Sequence, residues 1–146
     1  MAWYDVVDAT KKQRLGTKKR TMNGNEYIYL QGVASVVDGT WVTFDEDFVT
    51  ARAVADAQGQ VAIATAAVDA TTEYGWFAIW GMKTGLCLAS FVDNGVVYLT
   101  STAGSVDDTD VAGDQVYGAI GRTARDTTTG MSEFQLNYPE VLDAGN

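Results

Sequence analysis

Hydrophobic and polar positions alternate with a period of two in many short segments of the chain, and helical periodicity is hard to find. β-Branched and aromatic residues fill these segments, which is typical of strands with one face in a core. Groups of Asn, Asp and Gly separate the segments, and we expect turns there. The pattern predicts an all-β fold, a small β-barrel or sandwich of short antiparallel strands, with strands at 26–31, 41–45, 52–55, 61–66, 76–80, 87–90, 96–100, 115–120 and 133–138.

The chain contains an internal sequence match. The segment VASVVDGTWV, which begins at Val33, aligns with LASFVDNGVV, which begins at Leu88, an offset of 55 residues. A slightly longer offset relates Phe77 to Phe134. Short matches of this kind also arise by chance, but the repeated order of hairpin, loop, strand and strand suggests an internally duplicated β unit. We expect its Asp38-Gly39 and Asp93-Asn94-Gly95 steps to close tight hairpins.

The composition argues against catalysis, because the chain has no histidine. Ser-His and Cys-His triads and the usual zinc sites are therefore excluded, and we expect no enzyme activity, no metal site and no cofactor. The lone Cys87 lies between two leucines and reads as a buried hydrophobe. The remaining enzymatic interpretation is a glycosidase pair among the clustered carboxylates, whose turn-like setting is more typical of solvated loops: Asp45, Glu46, Asp107 and Asp108.

Charge is distributed unevenly along the chain. The net charge is −9, yet six of the ten basic residues lie within the first twenty positions: Lys11, Lys12, Arg14, Lys18, Lys19 and Arg20. We therefore divide the chain into an extended basic N-terminal arm, residues 1–22, and a β domain, residues 23–146. The arm is either a mobile, solvated leader or a segment that lies across an acidic surface on a partner or on a second copy. A nucleic-acid arm is the third possibility, but the acidic body repels phosphates, so we expect no nucleic-acid partner.

We expect no membrane partner and synthesis in the cytoplasm. The longest weakly polar run, QVAIATAAVDA, is too short to span a bilayer. The N-terminal sequence MAWYDVVD is acidic where a signal peptide is basic and then apolar.

Aromatic residues are the second set of candidate contacts. In the segment 76–80, alternation places Phe77 and Ile79 on the face that we expect to fill the core. Trp76 and Trp80 on the other face are either a contact with a partner or a second copy, or a second buried layer. Tyr27 and Tyr29 alternate with aliphatic residues in the same way. The candidate interaction residues are therefore the six basic residues of the arm together with Tyr27, Tyr29, Trp41, Trp76 and Trp80.

Three stretches of the sequence, LGTKKRTMNGNEYIYLQGVASVVDGTWVTFDED, QVAIATAAVDATTEYGWFAIWG and GDQVYGAIGR, resemble the head decoration or capsid cement proteins of tailed bacteriophages. EYIYLQGVAS and YGWFAI are the most specific parts of this resemblance. It implies an all-β domain on the outer surface of the virion capsid, with the major capsid protein as partner and no active-site residues. We expect copies of the protein to stabilise the expanded shell, and a homo-oligomer, a trimer or a dimer, suits positions near the icosahedral axes.

The main alternative is a carbohydrate-binding or adhesion module of a virion, because exposed Trp and Tyr on a β-sandwich can also stack on sugars. This alternative predicts affinity for glycans and none for capsids.

Overall fold

The computed structural model describes residues 2–142 and confirms the all-β fold. Apart from the 3-10 turn Trp3–Asp5, regular structure in this part of the chain consists of strands. The ten strands are β1 (Lys18–Arg20), β2 (Glu26–Gln31), β3 (Trp41–Phe44), β4 (Thr50–Arg52), β5 (Gly59–Ala64), β6 (Tyr74–Leu86), β7 (Val96–Leu99), β8 (Val106–Asp107), β9 (Gln115–Gly121) and β10 (Met131–Val141).

All strand pairs are antiparallel, and together they form a folded, sandwich-like sheet that does not close into a barrel. The main order is β1-β2-β6-β5-β10-β9-β7-β8, while β3 pairs with both β5 and β4. The long strand β6 connects the two halves of the molecule. Its first part pairs with β2, and its second part, from Trp80 to Leu86, pairs with β10.

The strand pattern repeats along the chain with the offset of the sequence match. Adding 55 to Trp41–Phe44 (β3) gives Val96–Leu99, the bounds of β7. The β3–β4, β3–β5 and β5–β6 pairs of the first half recur as β7–β8, β7–β9 and β9–β10 in the second. The β2–β6 pair recurs as the pair between the second part of β6 and β10. The chain therefore folds as a duplicated β unit.

The offset grows from 55 to 57 within β9. The pairs Ile63–Ala78 and Ala64–Phe77 of the first half correspond to Ile120–Gln135 and Gly121–Phe134 of the second, both shifted by 57. The β7–β9 register shifts at this place, and Gly118 has a φ of 82°. A bulge of this kind absorbs extra residues while the pairing continues on either side.

The Asp-Gly steps form turns, but the expected tight hairpins are wrong. The N–H of Thr40 donates to the carbonyl of Val37 at 3.0 Å, and the N–H of Gly95 donates to that of Val92 at 3.1 Å. Within these turns, Gly39 and Asn94 occupy equivalent left-handed positions with φ of 92° and 63°. Each turn lies in a loop between strands that are not neighbours, so turn chemistry alone did not reveal which strands pair.

Several strand predictions need correction. The strand predicted at 52–55 shares only Arg52 with β4, which begins two residues earlier, at Thr50. The segment 87–90 is not a strand, and Cys87 makes only an isolated bridge to Val106. Strands β1 and β8 were missed, because strands of three and two residues are too short for an alternation to be visible. Strand β6 is also longer than predicted, since its second part continues beyond Trp80 to Leu86.

Both faces of β2 and of the first part of β6 are buried, each in a different core cluster. Ile28 and Phe77 pack into a cluster on one face. Tyr29 and Trp76 belong to a larger cluster on the other face, which reaches into the second half through the contact of Trp41 with Phe134. A strand buried on both faces is apolar at every position, as β2 and β6 are over YIYL and WFAI.

Candidate interaction surface

Four of the five candidate aromatic residues are buried, so they cannot face a partner in this fold. Tyr29 and Trp41 are 0% exposed, Tyr27 is 3% and Trp76 is 4% exposed. The second buried layer is therefore the correct interpretation for Trp76. Alternation assigned these residues to a face correctly, but it carries no information about what covers that face. Trp80 is half-buried and remains a surface candidate.

Residues 3–8 cover part of the sheet face formed by Tyr27, Tyr29 and Trp76, which we call the aromatic face. This differs from the expectation of an extended arm. The ring of Tyr4 stacks on Tyr27 with centroids 4.5 Å apart, and Trp3 meets Trp76 edge to face at 5.0 Å. Asp8 exchanges two backbone hydrogen bonds with Tyr74, of 2.8 and 2.9 Å. The hydroxyl of Tyr29 donates to Asp8 Oδ2 at 2.6 Å. Residues 3–8 are thus held on the aromatic face by ring stacking and by hydrogen bonds.

Burial changes the acidity of two tyrosines under this cover. It raises the pKa of Tyr27 to about 12, with the neighbouring Tyr4 adding to the effect. Burial likewise raises the pKa of Tyr29 to about 12, and the hydrogen bond to Asp8 acts in the same direction. Both hydroxyls therefore stay neutral well beyond physiological pH.

The basic residues at 18–20 form strand β1, at one edge of the sheet. Lys18, Lys19 and Arg20 pair with Ile28, Tyr27 and Glu26 of β2, and all three basic side chains are exposed. Their side chains alternate between the two faces of the sheet.

Lys19 lies on the aromatic face. Its ammonium is 5.6 Å from the ring centroid of Trp3 and 5.4 Å from that of Trp76, distances typical of cation–π contacts. The aromatic rings leave the charge accessible, because Lys19 is itself exposed.

Lys18 and Arg20 lie on the opposite face, beside Glu26. Arg20 forms an ion pair of 2.7 Å with Glu26, and the hydroxyl of Tyr138 donates to the same carboxylate oxygen at 2.8 Å. Burial raises the pKa of Glu26, but the hydrogen bonds from Arg20 and Tyr138 outweigh that effect and lower it overall. The charge of Arg20 is therefore paired within its own chain, whereas the ammonium of Lys18 lies over the ring of Tyr138, 5.9 Å from its centroid.

Lys11, Lys12 and Arg14 lie in the loop before β1, which we call the basic loop. All three side chains are exposed, and none makes an ion pair among the residues that the structure describes. The six basic residues thus separate into two groups, a strand and a loop. Lysines on an edge strand also prevent unwanted strand pairing, which is a structural role that needs no partner.

The acidic clusters have local roles in turns. Asp45 accepts hydrogen bonds from the N–H groups of Asp47 and Val49, at 3.0 and 3.1 Å. Asp107 is only 7% exposed and accepts from the hydroxyls of Ser90 and Thr109. Asp45 and Asp107 thus accept hydrogen bonds from residues in the turns and loops next to them.

Residues 2–142 contain no group of three or more His, Cys, Asp or Glu that could hold a metal ion. Cys87 is buried beside Ser132, with Sγ and Oγ 3.2 Å apart, and burial raises the pKa of its thiol. A buried thiol of this kind is a poor nucleophile.

Comparison of the chain with protein-family models, with curated proteins and with solved structures finds no match. Within residues 2–142, no helix is long and apolar enough to cross a membrane.

Proposed function

We propose that this protein binds the outside of a tailed-phage capsid as a decoration protein and stabilises the expanded shell. The observation that carries the proposal is the exposed basic strand β1 at the edge of an otherwise acidic body. Such a charge distribution favours one orientation on an acidic partner surface and disfavours all others. The resemblance of the sequence to decoration proteins supplies the identity of that partner.

The contact surface in this proposal differs from the one that the sequence favoured. Because Tyr27, Tyr29, Trp41 and Trp76 are buried, we assign the capsid contact to the sheet edge formed by β1. Lys18 and Lys19 project there to either side of the edge, and the half-buried Trp80 pairs with Glu26 of the neighbouring strand. Each copy contributes a small interface, and many copies on one shell add their contributions. Binding to the expanded shell alone stabilises that state by mass action.

The test is co-sedimentation with expanded capsids that lack the protein. Deletion through Arg20 is a poor variant, because it removes the cover of Tyr27 and Trp76 and would unfold the body. The sharper variant is Lys18→Glu/Lys19→Glu, which should weaken capsid binding by about tenfold or more because it reverses two exposed charges. The matched control is Lys11→Glu/Lys12→Glu, which makes the same change of charge in the basic loop.

We expect saturable binding in a fixed ratio to the capsid protein for the native chain and for the control. An equal loss of capsid binding in both variants would show that binding depends only on net charge, and would contradict a specific role for β1. No binding by the native chain would reject the proposal.

The glycan-binding alternative depended on exposed aromatic platforms, and the four buried rings offer no face to a sugar. Binding to glycans without binding to capsids would nevertheless reverse our choice.

A further inference from the structure

The duplication places two equivalent sheet faces in one chain, and only one of them is covered. Tyr27, Tyr29 and Trp76 of the first half correspond to Met82, Thr84 and Glu133 of the second, by the offsets of 55 and 57. The first set lies under residues 3–8. Met82, Thr84 and Glu133 are exposed, and so is Gln135 beside them. We call these four residues the open face.

Acidic side chains surround the open face. Two adjoining pockets, of about 310 and 560 Å³, share Asp38, Thr84 and Glu133 in their walls. The first also contains Asp5 and the second Asp126. Lys83 is the one basic residue among the lining residues, and its ammonium is 2.8 Å from Asp38 Oδ1 in an ion pair. The two pockets together form a groove that carries a net negative charge.

We propose that the open face binds the basic loop, Lys11 to Arg14, of a second copy of this chain. Two independent observations support this occupant. The equivalent face in the first half is covered by a chain segment, so the backbone geometry of such a face leaves room for one. The basic loop carries three exposed cations without an ion pair in the described part of the chain, and these complement the carboxylates of the groove.

This contact joins different surfaces of the two copies, which either exchange it reciprocally in a twofold dimer or repeat it from copy to copy. Repetition of such a contact closes into a ring when the rotation between copies allows it, and otherwise continues as a filament. The basic strand β1 lies outside the contact and stays available to another partner. Self-association therefore adds to the proposed capsid binding and does not depend on it.

The test is sedimentation velocity of the purified full chain over a range of concentrations, at low and at high salt. We expect self-association at low salt that weakens at high salt, because the contact is mainly between exposed charges. Lys11→Glu/Lys12→Glu should weaken it by about tenfold or more, and so should Glu133→Lys/Gln135→Lys on the open face. The matched controls are Lys18→Glu/Lys19→Glu for the first variant and Glu46→Lys/Gln60→Lys for the second, with the same changes of charge at other exposed sites.

A mixing experiment makes the test decisive. The loop variant keeps a native open face and the face variant keeps a native basic loop. An equimolar mixture should therefore form mixed complexes at concentrations where each variant alone associates only weakly. Recovery in the mixture also shows that both variants are folded.

A native chain that stays monomeric at every concentration would overturn the proposal, as would a mixture that does not associate. Capsid binding distinguishes the two proposals. The face variant should still co-sediment with capsids, because its β1 is intact. If the face variant instead loses capsid binding while the native chain is monomeric, the open face binds the capsid protein and not a second copy.

Discussion

The β2–β6 ladder of the first half and the β6–β10 ladder of the second have the same pairing and opposite exposure on one face. In the first, Tyr29 and Trp76 are buried beneath the start of the chain. In the second, Thr84 and Glu133 at the equivalent positions face solvent. Backbone hydrogen bonds are therefore compatible with either outcome. Whether a ladder is buried on both faces depends on the side chains of its outer face and on whether a chain segment covers them.

The largest expected effect concerns the inner faces, which should behave alike. Phe77 and Phe134 occupy equivalent positions and are both 0% exposed. Phe77→Ala and Phe134→Ala should each lower the free energy of unfolding by about 3–5 kcal/mol, because each leaves a cavity in a closed core. Chemical denaturation measures both values. A loss below about 1 kcal/mol for either would show that the two inner faces are not equivalent.

The outer faces should differ. Trp76→Ala removes a buried ring that contacts Trp3 and Tyr29, and should cost about 3 kcal/mol or more. Glu133→Ala, at the equivalent position on the open face, should change the free energy of unfolding by no more than about 0.5 kcal/mol in the monomer. Similar losses at the two positions would contradict the difference in cover.

A smaller effect separates two equivalent bulge positions, Gly81 and Tyr138. Both have left-handed backbones, with φ of 94° and 47°. A Cβ at Gly81 would lie 2.0 Å from Asn25 Oδ1, so Gly81→Ala should cost about 2 kcal/mol. Tyr138→Gly relieves about 1 kcal/mol of backbone strain but loses the hydrogen bond to Glu26 and the ring contact with Trp80, so its net loss should be about 1 kcal/mol, smaller than that of Gly81→Ala. Thermal unfolding of the two variants gives both differences, and equal losses would show that the side-chain contacts of Tyr138 outweigh the relief of its backbone strain.

The pH dependence of stability provides the finest comparison. The folded-state pKa values of Tyr27 and Tyr29 are raised from 10 to about 12. Their contribution to stability is therefore complete below pH 10 and is lost as the pH rises through 12. Tyr29→Phe should make this decline shallower, whereas Thr84→Val on the open face should leave it unchanged. A decline of unaltered slope in Tyr29→Phe would show that Tyr29 does not titrate with folding.

Much of the fold was predictable from the sequence. Strand β2 was predicted at the bounds it has, Glu26–Gln31, because alternating aromatic and aliphatic residues are bounded by turn residues. The duplication was visible as well, since the same residues recur at equivalent turns. Strand β1 was not predictable, because Lys18–Arg20 has neither apolar residues nor alternation. Only its pairing with β2 makes it a strand.

The candidate surface was predicted less well than the fold. The basic residues are exposed as expected, but they form a strand and a loop and not one extended arm. The aromatic candidates failed because a large ring is favoured both in protein interfaces and in a protein's own core, and their sequence pattern is the same in the two cases. The capsid partner, the virion location and the oligomer stay predictions.

The sequence by itself determined the all-β class, the repeat of its strands, the position of its turns and the separation of basic from acidic residues. These follow from local chemistry, namely the period of two, the left-handed turn residues and the order of charges along the chain. The tertiary structure decided which strands are neighbours, which aromatic face is covered and which equivalent face stays open. Those outcomes depend on contacts between residues far apart in sequence, such as Trp3 with Trp76 and Trp41 with Phe134, and no local pattern records them.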